Sequence, residues 1–132
     1  MLGLLGTARR LRGDPGGALE PLAESVALFR TIGLRGGEAW ALNHYAAAFK
    51  DVGDLPSAEA TYHDALRISR EVGQPDDEAH ALEGLGECRL SAGGSAGASA
   101  LFQQARDIYE RLGMAADLGR VQGRLAQSTP TP

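Results

Sequence analysis

Aromatic residues are scarce in this chain. Phe, Tyr and Trp together make up 5% of its 132 residues, too few for a β-sandwich, whose strands draw on aromatic and β-branched side chains. Cysteine is scarcer still: Cys88 stands alone, so no internal disulfide framework exists, and a reducing, cytoplasmic setting is the expectation. Lysine is all but missing, Lys50 being the only one. No apolar run approaches the ~20 residues of a membrane span. The apolar start, residues 1–6, is too short for the hydrophobic region of a secretory signal. Positive charge is not in surplus either. The net charge is −4, which argues against a general binder of nucleic acid or of anionic membranes. The remainder is ordinary for a globular protein, with 43% hydrophobic and 23% charged residues. Alanine and glycine are abundant, as closely packed helices require. The length suits one modest domain.

What is present is a repeat. Shifted by forty residues, the chain overlays itself without a gap: Glu38 falls on Glu78, Ala39 on Ala79, Leu42 on Leu82, Gly53 on Gly93, Ala58 on Ala98 and Ala65 on Ala105. Ile68 meets Ile108, Gly73 meets Gly113, Asp77 meets Asp117, and aromatic Tyr62 meets aromatic Phe102. A constant period of this size marks stacked supersecondary units.

Within each unit, apolar residues recur at three- and four-residue steps, the spacing of a helix face. Residues 1–12 align with residues 41–52, so the chain is expected to begin inside a helix of a longer protein. Residues 16–32 read as the second helix of that unit, with Ala18, Leu22, Ser25, Val26, Phe29 and Ile32 inward and Pro21 near its first turn. Arg35, Gly36 and Gly37 read as a linking loop. Helices follow over 38–52 (Ala39, Leu42, Tyr45, Ala46, Phe49 inward) and 56–72 (Ala58, Tyr62, Ala65, Leu66, Ile68, Val72 inward). Asp54 is the N-cap of the latter. Gln74 to Asp77 read as a turn, and Gly93 to Gly97 as the loosest connection. Residues 77–92 and 95–112 repeat the pair, 115–127 is a closing helix, and 128–132 a disordered tail. The division is one domain over 1–127, with repeats over 1–37, 38–77 and 78–117.

These residues resemble the tetratricopeptide repeat family. Its marker positions read Leu42, Tyr45, Ala46, Phe49, Ala58, Tyr62, Ala65 in one copy. The next copy reads Leu82, Leu85, Gly86, Arg89, Ala98, Phe102, Ala105, and the first reads Leu2, Leu5, Gly6, Arg9, Ala18, Leu22, Ser25. Arg9 and Arg89 depart from the aromatic marker, and the helix-ending proline is missing at Arg70 and Glu110. The resemblance implies an all-α, right-handed superhelical solenoid of antiparallel helix pairs, with about seven helices. The units exceed the common length of about 34 residues. Long copies that open with an acidic residue and alanine are similar to the repeats of large transcriptional regulators of high-GC bacteria, and to those of scaffold proteins with units of about 40 residues. The Arg, Ala and Gly bias fits such a genome.

In that architecture the first helices of successive pairs line a concave groove. The resemblance places there Trp40, Asn43, His44, Ala47, Lys50 and Asp51, then His80, Glu83, Gly84, Glu87 and Leu90, then Arg120, Arg124 and Gln127, preceded by Leu4, Thr7, Arg10 and Leu11. The core does not need these side chains, so they are expected to be free for a partner. Two readings of Trp40 compete: a ligand anchor, or a ring packed on the first repeat. His44 and His80, with Glu83 and Glu87, offer metal donors at a spacing that matches no zinc signature. Arg120 and Arg124, with Arg89, offer a carboxylate or phosphate site, against the plainer reading of solvated arginines. Asn43 and Lys50 do not reproduce the family's carboxylate clamp. Nothing assembles a nucleophile, base and acid, and Gly93 to Gly97 lacks the lysine of a phosphate loop. Cys88 falls at a packing position. The reading is a non-catalytic module, without cofactor or metal, that binds a protein or peptide, neither nucleic acid nor membrane. Self-association through exposed repeat ends is the alternative.

Overall fold

The computed structural model describes residues 15–128. The helix expected over 1–12 and the tail residues 129–132 lie outside them. Six helices follow one another: α1 (Pro15–Ile32), α2 (Arg35–Asp51), α3 (Leu55–Val72), α4 (Pro75–Ser91), α5 (Ser95–Leu112) and α6 (Ala115–Ser128), with no strand among the described residues. Each helix packs on the next, and α2 also touches α4. The result is an α-solenoid of helical hairpins.

The hairpins are cut to length by glycine. Gly33, Gly53, Gly73, Gly93 and Gly113, twenty residues apart, all have φ between 70° and 87°, a conformation that side chains with a Cβ resist. Each follows a helix end. The Gly33 N–H reaches the Arg30 carbonyl (3.3 Å) and the Leu34 N–H reaches the Phe29 carbonyl (3.0 Å), the paired bonds of a Schellman stop. The second of these bonds recurs from Asp54 to Phe49, Gln74 to Ser69, Gly94 to Arg89 and Met114 to Tyr109.

The connections are therefore tighter than the sequence suggested. The residue after each glycine already stands at the start of the next helix. Arg35, Gly36 and Gly37 are helical rather than a loop, α4 begins at Pro75 rather than after a four-residue turn, and the helix after Gly93–Gly94 starts at Ser95. Gly37 is small for a packing reason: a Cβ there would run into the Phe29 ring, whereas at Gly36 it would meet only the movable end of the Gln74 side chain. Pro21 sits in the second turn of α1. The Asp54 cap is as expected, its Oδ1 accepting from the Ser57 N–H at 3.2 Å. Ser128, expected in the tail, is the last helical residue, and its hydroxyl donates to the Leu125 carbonyl at 3.1 Å.

Alanines fill the helix contacts, and a few large side chains fill the spaces between: Leu22, Leu82, Leu85, Phe102 and Tyr109 are fully buried, with Tyr62 nearly so. Tyr62 and Phe102 lie flush on backbone. The Tyr62 ring occupies the place of a Gly84 side chain, and the Phe102 ring that of a Gly86 side chain. Ile32 and Val72, expected inward, are instead 56% and 38% exposed, as is their counterpart Leu112 at 40%. All three end their helices just before the turning glycine, beyond the reach of the neighbouring helix.

Gly84→Ala should destabilise the fold. Helix propensity favours alanine by about 1 kcal/mol, but displacing the Tyr62 ring costs about 1–3 kcal/mol. Gly119→Ala, in a helix with open space around the new methyl, should stabilise by up to about 1 kcal/mol. Urea denaturation midpoints moving in opposite directions would bear this out; two increases would mean that the Tyr62–Gly84 contact is not tight.

Candidate functional site

Helices α2, α4 and α6 occupy equivalent places in successive hairpins and present equivalent positions to one cleft of about 540 Å³. Lining it are Trp40, Asn43, His44 and Lys50 from α2, and His80, Glu83 and Glu87 from α4. Arg120 of α6 and Tyr62 of α3 complete the wall, together with Asp76 and Asp77 of the first turn of α4. Asp51 and Arg124 border an adjoining hollow of about 230 Å³ that shares Lys50 and Glu87.

The charged walls are committed to one another. Glu83 is 6% exposed at its side chain, and both its oxygens are satisfied. Arg120 grips it as a fork, Nε to Oε2 at 2.6 Å and Nη2 to Oε1 at 2.8 Å, the strongest geometry for such a pair. The buried Tyr109 hydroxyl donates to Oε1 at 2.8 Å. Arg120 also reaches Asp117 at 2.6 Å, and His80 stands 3.5 Å from Asp117. One helical turn along, Glu87 bridges Lys50 of α2 and Arg124 of α6, both at 2.9 Å. Glu83 and Glu87, expected to be free for a partner, are thus interior struts between hairpins. Arg120 and Arg124 do hold carboxylates, but the protein's own. Arg89 does not join them; it pairs with Glu59 of α3 at 2.8 Å.

Titration follows this arrangement. Burial, and then the adjacent Glu83 charge and hydrogen bond, push the Tyr109 hydroxyl well above its ordinary value. The hydrogen bond to Glu83 holds Arg120 above the usual range against the opposing effect of burial. Burial works to raise Asp117, but the Arg120 hydrogen bond and charge, with His80, outweigh it and hold the carboxyl low. Asp77 goes the other way: burial and then the charge of Asp76 raise it, against the smaller opposing effects of the His80 charge and the Asn43 side chain. Burial likewise pushes the Cys88 thiol up, as suits a packing residue.

One corner of the cleft is left unmatched. No lysine or arginine among the described residues forms an ion pair with Asp76 or Asp77. The Gln74 amide, in the orientation that suits both its ends, donates to Asp77 Oδ2 at 3.1 Å, a neutral partner rather than a cation. Beside them, Asn43 is buried and its Nδ2 donates to the Asp77 carbonyl at 3.0 Å, which fixes the amide. Its Oδ1 then meets no donor, at a cost of about 1–3 kcal/mol for such a group. The half-buried Trp40 ring packs on the core, tilts against His44 at 4.5 Å, and lines the cleft. His44 and His80 share the cleft, but His80 turns to Asp117 and to the Tyr109 ring at 5.6 Å. No cluster among the described residues brings together three metal-donor side chains.

Sequence reasoning missed Tyr109, Asp117, Asp76 and Asp77 as members of the site. Asp77 and Asp117 occupied equivalent repeat positions, a usable signal. Tyr109 is equivalent to Phe29 and Ser69, so periodicity offered only a packing role for it.

Removing one partner of the Glu83 fork should cost more than removing both. Arg120→Met should lower stability by about 2 kcal/mol, below the value for a fully buried pair because Arg120 is half exposed. Adding Glu83→Gln, which keeps an acceptor for Tyr109, should recover at least half, read by urea titration of the three variants. Acid titration should separate the two aspartates. A carboxyl held low in the fold adds stability above the ordinary carboxylate range and loses it as pH falls through the folded value. Asp117→Asn should therefore be less stable than the parent at pH 7 and converge with it in acid. Asp77, held high, costs the fold stability at neutral pH, so Asp77→Asn should be the more stable protein at pH 7, with the gap narrowing as pH falls through the raised folded value and gone below about 4.

A tetratricopeptide repeat family model matches residues 37–111, over half of the chain. Two crystal structures of a Podosopora anserina protein assigned as kinesin light chain, with nearly identical TPR-like repeats, share the fold: both give a TM-score of 0.80 at 16% identity, and one of the two is of a point variant. The match covers 96% of this chain and 63% of that one, so this chain spans less than two thirds of its structural relative. No curated protein matches the chain. No helix among the described residues is long and apolar enough to cross a membrane. With its repeat markers, its stacked hairpins and the family model in agreement, the chain belongs to the tetratricopeptide repeat family, whose members generally mediate protein–protein interaction.

Proposed function

We propose that this chain is a non-catalytic interaction module whose concave cleft binds a peptide or helix, from a partner protein or from another part of its own parent chain. The observation that carries this reading is the cleft itself: about 540 Å³ between α2, α4 and α6, with a half-buried Trp40 on its wall. Its shape is set in advance by the Lys50–Glu87–Arg124 and Arg120–Glu83 pairs. A pre-set cleft lowers the ordering cost of binding, and a tryptophan in such a wall is a frequent anchor. The long repeats support placing the module in a cytoplasmic bacterial transcriptional regulator. The net charge of −4 supports contact with proteins rather than direct contact with nucleic acid.

A second reading is self-association. Ile32, Val72 and Leu112 are equivalent, exposed and apolar, and could form a row along one edge of the solenoid. Random-peptide display followed by affinity measurement should yield peptides whose binding weakens about tenfold or more in Trp40→Ala, with helicity unchanged by circular dichroism and a monomer by sedimentation at every concentration. Peptides that bind Trp40→Ala as well as the parent would sink the cleft reading. Concentration-dependent dimers abolished by Val72→Glu would establish the second.

A further inference from the structure

The unmatched corner of the cleft says what its occupant should carry. Four carboxylates line the cleft, Asp76, Asp77, Glu83 and Glu87, against two cations, Lys50 and Arg120. Both cations are already held, Lys50 by Glu87 and Arg120 by Glu83 and Asp117. The surplus negative charge therefore concentrates at Asp76 and Asp77, the first of them exposed and the second buried. Both are acidic residues in the first turn of α4. That position favours negative charge through the helix dipole, but a buried carboxylate without a cation still carries an unmet electrostatic demand.

A second observation is independent of charge. Asn43 is 92% buried, from its 8% exposure, and its Oδ1 lacks a donor. The amide cannot turn to relieve this without losing the Nδ2 bond to the Asp77 carbonyl. The cleft thus offers charged acceptors with no uncommitted lysine or arginine beside them, and a neutral acceptor sealed just beneath its surface. The Trp40 ring, on the same wall, supplies an aromatic face of the kind that attracts cations.

We infer that this corner receives the guanidinium or ammonium group of a basic side chain on the partner segment, with Asp76 and Asp77 as counter-charges, Asn43 Oδ1 as an acceptor and Trp40 alongside. The inference rests on the cleft being the binding surface and adds the chemistry of its occupant: a basic peptide rather than an acidic or purely apolar one. Arginine fits best. Its planar fork can serve several acceptors at once and it stacks on aromatic rings. Docking it requires the Asn43 amide to be uncovered, by a local side-chain shift that the incoming donor repays.

The test uses the full chain, ¹⁵N-labelled. Its single tryptophan and single asparagine make the Trp40 indole and Asn43 side-chain amide signals assignable by substitution. Three capped tripeptides, Ala-Arg-Ala, Ala-citrulline-Ala and Ala-Glu-Ala, are titrated to about 20 mM, the range where single-residue contacts become visible. The arginine peptide should shift both signals to saturation. Citrulline, which keeps the shape and loses the charge, should bind at least about fivefold more weakly, and the glutamate peptide should not saturate. In the double variant Asp76→Asn/Asp77→Asn, with unchanged circular dichroism, the preference for arginine over citrulline should vanish. Equal binding of arginine and citrulline peptides at Trp40 would overturn the inference while leaving the cleft as a peptide site. So would an arginine preference that persists in the double variant. If the arginine peptide moves neither signal while displayed peptides still bind through Trp40, the inference alone fails. If nothing binds at Trp40, both readings fail together.

Discussion

A glycine in the left-handed region every twenty residues governs this molecule. Each one stops a helix and releases the chain straight into the next, through the same backbone bond across the turn. With connections of two or three residues, a helix has little choice but to fold back on its predecessor. The constant twenty-residue spacing then places equivalent residues of successive hairpins at equivalent heights. The cleft, the charge pairs and the aromatic packing all depend on that regularity. A longer loop at Gly73 or Gly93 would let the hairpins slide and take Glu87 out of reach of Lys50 or Arg124.

The next constraint is closeness. A tyrosine ring on Gly84 and a phenylalanine ring on Gly86 leave no room for even one added methyl. The small residues of this chain are therefore not filler. They set the distance between helix axes, and so decide which groove side chains can touch. At that distance a glutamate on α4 reaches cations on both α2 and α6, which is why the carboxylates are struts between hairpins. Repeat proteins are held together by neighbour-to-neighbour contacts, and here part of that coupling is ionic and lines the candidate binding surface. A ligand in the cleft would therefore press directly on the contacts that join successive hairpins.

The same arrangement separates committed from uncommitted charge. Glu83 and Glu87 are neutralised by forks and bridges. Asp77, at the position equivalent to Asp117, is not. Its counterpart has Arg120 one turn along the same helix, where the hairpin carrying Asp77 has His80 instead. One repeat closes its own electrostatics with an arginine fork and the other leaves its carboxylate only a histidine, although the two stand at equivalent positions. In a degenerate repeat, the departures from the consensus are where specificity can arise.

The amino-acid sequence determined the period and the helical hairpins, which follow from local spacing: apolar steps of three and four, with a glycine every twenty residues. The resemblance of its marker residues to the tetratricopeptide repeat family implied the side of each helix that faces the cleft. That resemblance also implied Trp40, Asn43, His80, Glu83 and Arg120 as cleft residues, and all five line the cleft. The sequence did not determine whether Glu83 is free or bound, that Tyr109 donates to it, or that Asn43 lacks a donor while Asp77 lacks a lysine or arginine. Those are relations between residues 26 to 37 positions apart. A hydrogen bond depends on angstroms and direction, which only the packing of one hairpin against the next decides. Ile32 and Val72 teach the same lesson in reverse: the spacing put them on the inner face, but the helices ended before a neighbour could cover them.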